Sequence, residues 1–433
     1  MYKKLPVSIF TEGAGSFLIF PFNMSQMKIL NRFKGKGGIK MKHIIILGGG
    51  FAGINLLNGL KKELRSSLGK EVKITLIDKN SFHFRKVLLF KSVVEAADLK
   101  VPLKRYCTDG MECIKGEAIA CNHSEKEIEV KLEDERIRTV QYDYLVFALG
   151  SVIQEIPSTL GGTTLSSVQT AATVRQKLLS LIQLAKMEEN KEVRRELLRV
   201  AIVGGGITGI ETSAEICVWF KEEVQKADLN PAEVEVILFD SKEHLLRGVP
   251  VKVSERLTDE LKKIGIKCIC KTKVMKFENG QLLCTNGTTY AAGECVWTPG
   301  VKVNPIIQSF QLPLSNENQI LVTNTYSIEG HSHIYAIGDC ARIVDKKTNQ
   351  VDGMTCKEAI PQATRLSKIL KNEIHGICNS VTHKAYPVKL YCISLGPHNG
   401  FVWIQKWGLD FILSGKMGAR IRERTWDQAS LLV

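Results

Sequence analysis

No stretch of this 433-residue chain approaches the ~18 consecutive apolar residues of a membrane-spanning helix, so none is expected. No CxxC pair occurs among the twelve cysteines, which lie scattered along the chain. Their scatter reads as the thiol content of a reducing cytoplasm, not as a disulfide framework. Cys268 and Cys270 would share one face of a strand, and two small residues facing a core is the expected reading, because a closed zinc site wants about four ligands. Zinc-finger spacing, an RNA-recognition signature and an aromatic-rich basic stripe are all missing. The net charge of +14 therefore points to anionic cofactors or an anionic membrane surface and away from nucleic acid. The first forty residues hold seven Lys or Arg and one acid, and they fit neither a signal peptide nor an Arg-rich presequence. Residues 1–40 are expected to be a flexible extension, a translated upstream region or an added tail. The expected location is the cytoplasm, with at most a peripheral place on the cytoplasmic face of the membrane.

What is present is a globular composition, 44% hydrophobic and 24% charged, in a chain long enough for two or three domains. It also repeats itself once. KHIIILGGGFAGI (42–54) is matched by RVAIVGGGITGI (199–210), each a β-branched run entering a glycine cluster. A helical stretch and a second strand follow in each copy, ending in Asp78 and Asp240. Short alternating strands come next, and each copy closes on an apolar run and a glycine, Gly150 and Gly300. The order predicts an α/β fold of two Rossmann-like dinucleotide-binding domains, each with a β-meander insertion, and a small C-terminal α+β region. The expected boundaries are 41–155 with 322–383 for the first domain, 156–321 for the second and 384–433 for the C-terminal region.

Gly48, Gly50 and Gly53 form G-x-G-x-x-G directly after a strand and before a helix, with Phe51 and Ala52 between the last two glycines. In that setting the first glycine permits the turn, the second lets the backbone approach a pyrophosphate, and the third allows close helix packing. The helix N-terminus faces the phosphates, and Asp78 would accept from a ribose. Gly204, Gly206, Gly209 and Asp240 repeat the arrangement. An acid at Asp240 repels a 2′-phosphate, so NADH is expected over NADPH despite Lys242 and Arg247 nearby. Glu211 stands just inside the second helix, where it could complement the dipole or touch a nicotinamide. His83, between two phenylalanines, is given no role.

ILVTNTYSIEGHSHIYAIGDCA (320–341) resembles the second flavin motif of pyridine-nucleotide oxidoreductases with two dinucleotide-binding domains. YDYLVFALGS (142–151) and VWTPGV (296–301) are similar to that family's domain-linking segments. The resemblance implies FAD in the first copy, with Asp339 on the flavin ribitol, and NADH in the second. NSFHFRKVLLF (80–90) and LYCISLGPHNGFVWIQKWG (390–408) are similar to segments of the type II NADH dehydrogenases, which reduce a quinone without pumping protons. That family often carries two glutamines in a helix beside the quinone. TCKEAIPQA (355–363) has Lys357 and Pro361 there, and a cation at Lys357 would stabilise a reduced flavin.

The disulfide reductases of this architecture need a cysteine pair after the first glycines, and none occurs between Ile54 and Arg105. Sulfide:quinone reductases use cysteines in the connecting region, and none lies between Cys121 and Cys217. Cys356 alone cannot relay sulfur. A sulfide:quinone-type reductase as a minor reading, a soluble-acceptor reductase, and a nicotinamide sensor that is reduced once without turnover stay open as alternatives. The expected partners are a small-molecule acceptor, a quinone first, then a membrane surface, and a second copy in a homodimer. Trp403, Trp407, Phe411, Ile412 and Leu413 stand close to Lys406, Lys416, Arg420, Arg422 and Arg424, a mixture that suits an interfacial helix, while Gly408, Gly415 and Gly418 interrupt the helical pattern and the same residues could equally form strands and a helix that pack on the flavin domain.

Overall fold

The structure, a computed structural model, describes residues 41–429, so the expected N-terminal extension lies outside the described residues. The last four residues of the strand Lys42–Leu47 are Ile and Leu and fully buried because the strand is flanked on both edges, by Val72–Asp78 and Tyr144–Phe147, both parallel to it. Ile334–Ala336 adds a further parallel strand beyond Tyr144–Phe147, which returns the chain to the first sheet after the second copy. On the other side Met111–Asn122 runs parallel to Val72–Asp78 in its first half. In its second half it pairs antiparallel with Glu127–Leu132, which pairs with Ile137–Gln141. The expected meander is thus continuous with the parallel sheet.

The second copy builds a five-stranded parallel sheet in the order Thr163–Thr164, Glu294–Trp297, Arg199–Val203, Glu235–Phe239, Ile266–Ile269. Its meander, Val274–Glu278 to Thr289–Ala291, forms a separate antiparallel sheet. The repeat extends to single hydrogen bonds: the amide of Gly48 donates to Ile77, and that of Gly204 to Phe239.

Packing divides the chain somewhat differently from the motif boundaries. The core around the first sheet takes in Val303, Ile307, Phe310 and Ile320. The core of the second sheet takes in Leu89, Phe90, Val93 and Leu99 from the first copy, and Phe401, Trp403 and Trp426 from the C-terminal region. The helices Phe51–Glu63 and Cys356–Ile374 approach closely at Gly59, where a Cβ would lie 2.8 Å from the Ser367 hydroxyl.

One expectation is corrected by the fold and one open reading is decided. Cys107 and Cys113 form a disulfide across the turn that enters Met111–Asn122, whereas all cysteines had been read as thiols; the other ten are free. The C-terminal region has the expected α+β form, and of its two readings the strands and helix hold: a three-stranded antiparallel sheet, Lys389–Ser394, Gly400–Lys406 and Leu409–Ser414, followed by the helix Gly415–Ala429, packed on the core of the second sheet and not on that of the first, the expected flavin domain. The period-two alternation of its side chains separates residues that a helix would have mixed. Trp403 is fully buried and its indole donates to Asp410, while Leu409, Phe411 and Leu413 point outward beside Trp407 at the hairpin tip. Among the described residues no helix is long and apolar enough to cross a membrane.

Candidate functional site

The two glycine clusters share one geometry. Gly48 (φ +104°) and Gly204 (φ +123°) adopt the left-handed region, and a Cβ on them would fall 2.3 Å from the Ala148 carbonyl oxygen and 2.4 Å from that of Thr298. At the third glycines, Gly53 and Gly209, a Cβ would fall 1.9 and 1.8 Å from the carbonyl oxygens of Gly48 and Gly204. These four glycines are demanded by the protein's own backbone. The middle ones are different: nothing lies within 4 Å of a Cβ on Gly50 or Gly206. Both following helices, Phe51–Glu63 and Ile207–Lys226, start without a side-chain cap and without an acid in the first turn. Their leading amides are therefore open to an anion, with the helix dipole behind them. An open cradle of this kind fits a dinucleotide pyrophosphate in each copy.

Asp78 and Asp240 do more than the sequence suggested. Asp78 accepts from the Gly49 amide at 2.7 Å through one oxygen and from the Asn80 amide at 2.7 Å through the other. Asp240 does the same with Gly205 at 2.9 Å and Lys242 at 2.7 Å. Each carboxylate thus fixes its own glycine loop, and with about four lone-pair sites per carboxylate it can still accept from a ribose. Burial pushes the Asp78 pKa up, against the amides of Asn80 and Gly49. His83 supports the same loop from below: it is 2% exposed, its Nδ1 donates to the Gly49 carbonyl at 3.0 Å, and its ring meets Phe51 edge-on at 4.7 Å. Burial drives its pKa down to about 4, so the ring is neutral at physiological pH.

Asp339 sits in the short turn Gly338–Cys340, where a Cβ on Gly338 would lie 2.9 Å from the Cβ of Ala52. This sets the backbone next to Asp339 against the start of the first helix. Its carboxylate accepts from the Ser151 hydroxyl at 2.5 Å, and the Lys86 ammonium donates to the Ser151 carbonyl at 2.6 Å and reaches its hydroxyl at 3.3 Å. The Gly338 amide donates to Gln362, whose side-chain nitrogen donates to Asp352 at 2.8 Å. Gly150 (φ +62°) and Gly300 (φ +85°) also face open space. The strands after them, Ser151–Ile153 and Val301–Val303, pair antiparallel and so join the two copies. Lys86, Ser151 and Gln362 all stood within the quoted motifs, but their meeting is a tertiary fact that spacing alone does not announce.

Glu211 and Lys357 both meet the C-terminal region. Glu211 comes after the first turn of its helix, is 2% exposed, and accepts from the Ser394 amide at 3.0 Å and from Arg422 at 3.0 and 2.8 Å. The expected cap role is therefore corrected, since the first turn holds no acid. Burial raises the Glu211 pKa and Arg422 opposes it. The Lys357 ammonium donates to the Leu390 carbonyl at 2.6 Å and lies 4.7 Å over the Tyr391 ring. Burial lowers its pKa. Both residues fasten the C-terminal region to the two helices that carry them.

Residues 42–363 match the pyridine nucleotide-disulphide oxidoreductase family. The chain is 30% identical to the type II NADH:quinone oxidoreductase of Haemophilus influenzae over 70% of its own length and 74% of the relative's. It is 24% identical to the NADH dehydrogenase-like protein YutJ of Bacillus subtilis, covering 83% and 92%. Its fold matches the structure of NDH2 from Plasmodium falciparum in complex with NADH, with a TM-score of 0.74 at 17% identity, over 91% and 95% of the two chains. With a duplicated nucleotide cradle and these likenesses, the chain belongs to the pyridine nucleotide-disulphide oxidoreductase family, as an oxidoreductase related to the type II NADH:quinone oxidoreductases.

Proposed function

We propose that this chain is an FAD-dependent NADH dehydrogenase that hands electrons to a quinone-type acceptor without pumping protons. The observation behind this reading is the pair of open glycine cradles, each closed on one side by an aspartate that holds its loop. FAD, when bound, supplies the two-electron relay between a nicotinamide hydride donor and the acceptor. In this reading Gly48, Gly50, Phe51, Ala52, Gly53, Asp78, Gly150 and Asp339 hold FAD, and Gly204, Gly206, Gly209, Asp240 and Gly300 hold NADH. The helix N-termini bind the pyrophosphates, and the chain contributes position and electrostatics without side-chain acid or base chemistry. Asp240 sets NADH ahead of NADPH, because an anionic 2′-phosphate would meet its carboxylate.

The acceptor is a membrane quinone reached from the surface. Trp407, 83% exposed at the hairpin tip, stands with the exposed Leu409 and Phe411 beside Lys406, and the helix after the hairpin exposes Lys416, Met417, Arg420 and Arg424. Rings and aliphatic chains of this kind sit at a headgroup boundary, and each cation near an anionic leaflet adds about 1 kcal/mol. Steady-state turnover of purified protein with NADH and NADPH against quinones and soluble acceptors tests the function. NADH oxidation sustained by a quinone is the expected result, and oxidation sustained only by a soluble acceptor would remove the quinone. Flotation with anionic liposomes at low and high salt tests the surface, with binding expected at low salt and weakened by Trp407→Ser with Phe411→Ser.

A further inference from the structure

We propose that Lys86 is a positioning residue for the flavin, acting through Ser151 on Asp339 and placing a fixed positive charge at that end of the dinucleotide cradle. The inference rests on the FAD reading above. Lys86 opens the 3-10 helix Lys86–Val93, directly after Arg85, and its stem runs inward so that the ammonium ends on Ser151. Ser151 is doubly constrained. Its carbonyl and hydroxyl oxygen both face the ammonium, and the hydroxyl proton has Asp339 as its acceptor.

A hydroxyl holds one proton and can donate it once, so the cation on its lone pairs and the carboxylate on its proton fix its rotor. Lysine, serine and aspartate thus form one ordered chain, cation to hydroxyl to anion, from three segments distant in sequence. Burial costs the ammonium some of its basicity, and the Asp339 carboxylate is the charge that favours keeping the proton. Ser151 follows Gly150, which faces open space, and Gly338, the neighbour of Asp339, abuts Ala52 in the first turn of the Phe51–Glu63 helix, so the chain of contacts borders the cradle itself.

Two consequences follow physically. Asp339 is oriented before any cofactor arrives, which favours binding by removing a rotamer cost. A cation held beside the flavin also stabilises the more negative, reduced form over the oxidised one. Lys357, the cation singled out by the sequence, has its ammonium on the Leu390 carbonyl, while Lys86 is the lysine whose ammonium joins the Asp339 chain.

The test uses the full-length holoenzyme and its Lys86→Met, Lys86→Arg and Ser151→Ala variants. The readouts are the FAD dissociation constant after removal and return of the flavin, the midpoint potential of bound flavin, and the far-ultraviolet melting curve. Lys86→Met is expected to weaken FAD at least fivefold and to move the reduction equilibrium tenfold toward the oxidised form, about 30 mV for a two-electron couple. Lys86→Arg, which keeps the charge, should retain most of the potential. Ser151→Ala should weaken FAD while leaving the potential nearer to that of the parent protein. Should Lys86→Met disturb folding, Lys86→Arg and Ser151→Ala decide the matter by the same readouts. A Lys86→Met protein that melts normally and holds FAD with parental affinity and potential would overturn the inference alone. A parent protein that takes up no FAD would overturn the cofactor reading with it.

Discussion

The middle and third glycines of the NADH cradle make a matched pair of perturbations. Gly206 has φ −80° and ψ 178°, an extended conformation open to any residue, and a Cβ there meets nothing within 4 Å. Gly206→Ala should therefore change stability by no more than about 0.5 kcal/mol. Its methyl would nonetheless stand where the pyrophosphate must approach the amides. Loss of one hydrogen bond to a charged group costs about 1.5–3 kcal/mol, which is roughly a ten- to hundredfold loss of NADH affinity. Gly209→Ala should do the opposite, because its Cβ would lie 1.8 Å from the Gly204 carbonyl oxygen, far inside contact distance, and 2.7 Å from the Thr298 hydroxyl. Overpacking of this kind costs about 1–3 kcal/mol or more before any ligand is present. Urea unfolding without NADH, and NADH titration against flavin absorbance under anaerobic conditions, separate the two effects. Parental NADH affinity in Gly206→Ala, or parental stability in Gly209→Ala, would refute the reasoning.

Further predictions concern single side chains. Asp240→Ala should lower kcat/KM for NADH about tenfold, the equivalent of ~1.4 kcal/mol, and narrow the preference over NADPH, since it removes a ribose acceptor, a loop anchor and a like-charge barrier. Unchanged kinetics with both nucleotides would place Asp240 outside the site. Arg422→Met leaves the buried Glu211 carboxylate without its cation and should destabilise the attachment of the C-terminal region by about 3–5 kcal/mol. Hydrogen exchange read by mass spectrometry should show protection lost across residues 389–429, with the parallel sheets unaffected; uniform protection would contradict it. His83 has a folded pKa near 4, below the 6.5 of the free side chain, so the unfolded chain takes up the proton first as pH falls. Its contribution, about 3 kcal/mol at most, is present in full above pH 6.5 and is lost as pH drops toward 4. His83→Phe should flatten that part of the stability profile measured by denaturant titration, and an unaltered slope would count against it.

Much of this was legible in the sequence because the signals are local. Each β-branched run entering Gly-x-Gly-x-x-Gly needs only short-range sterics, so both strands, both turns and both helices fall where the pattern puts them. The return of Ile334–Ala336 to the first sheet was legible only through the resemblance of its motif. Contacts made at a distance were not. Glu211 is 211 residues from Arg422, and Lys86 is 65 from Ser151, so neither pairing has a trace in composition or period. The C-terminal segment stayed open between two readings for another reason: its mixture of rings and cations suits a helix or a hairpin equally, and Gly408 at φ +75° beside Trp407 at φ +53° decides for the hairpin. His83 looked idle because its partner is a backbone carbonyl.

The most direct test of the central claim is a single anaerobic experiment on the purified protein. NADH is added stepwise while the flavin absorbance is followed, and a soluble quinone is then mixed in. The two-cradle account predicts FAD as the released flavin, stoichiometric bleaching by NADH, and rapid return of the yellow colour with repeated turnover once quinone is present. A colourless protein, FMN in place of FAD, or flavin that bleaches and stays bleached in the presence of quinone would contradict it.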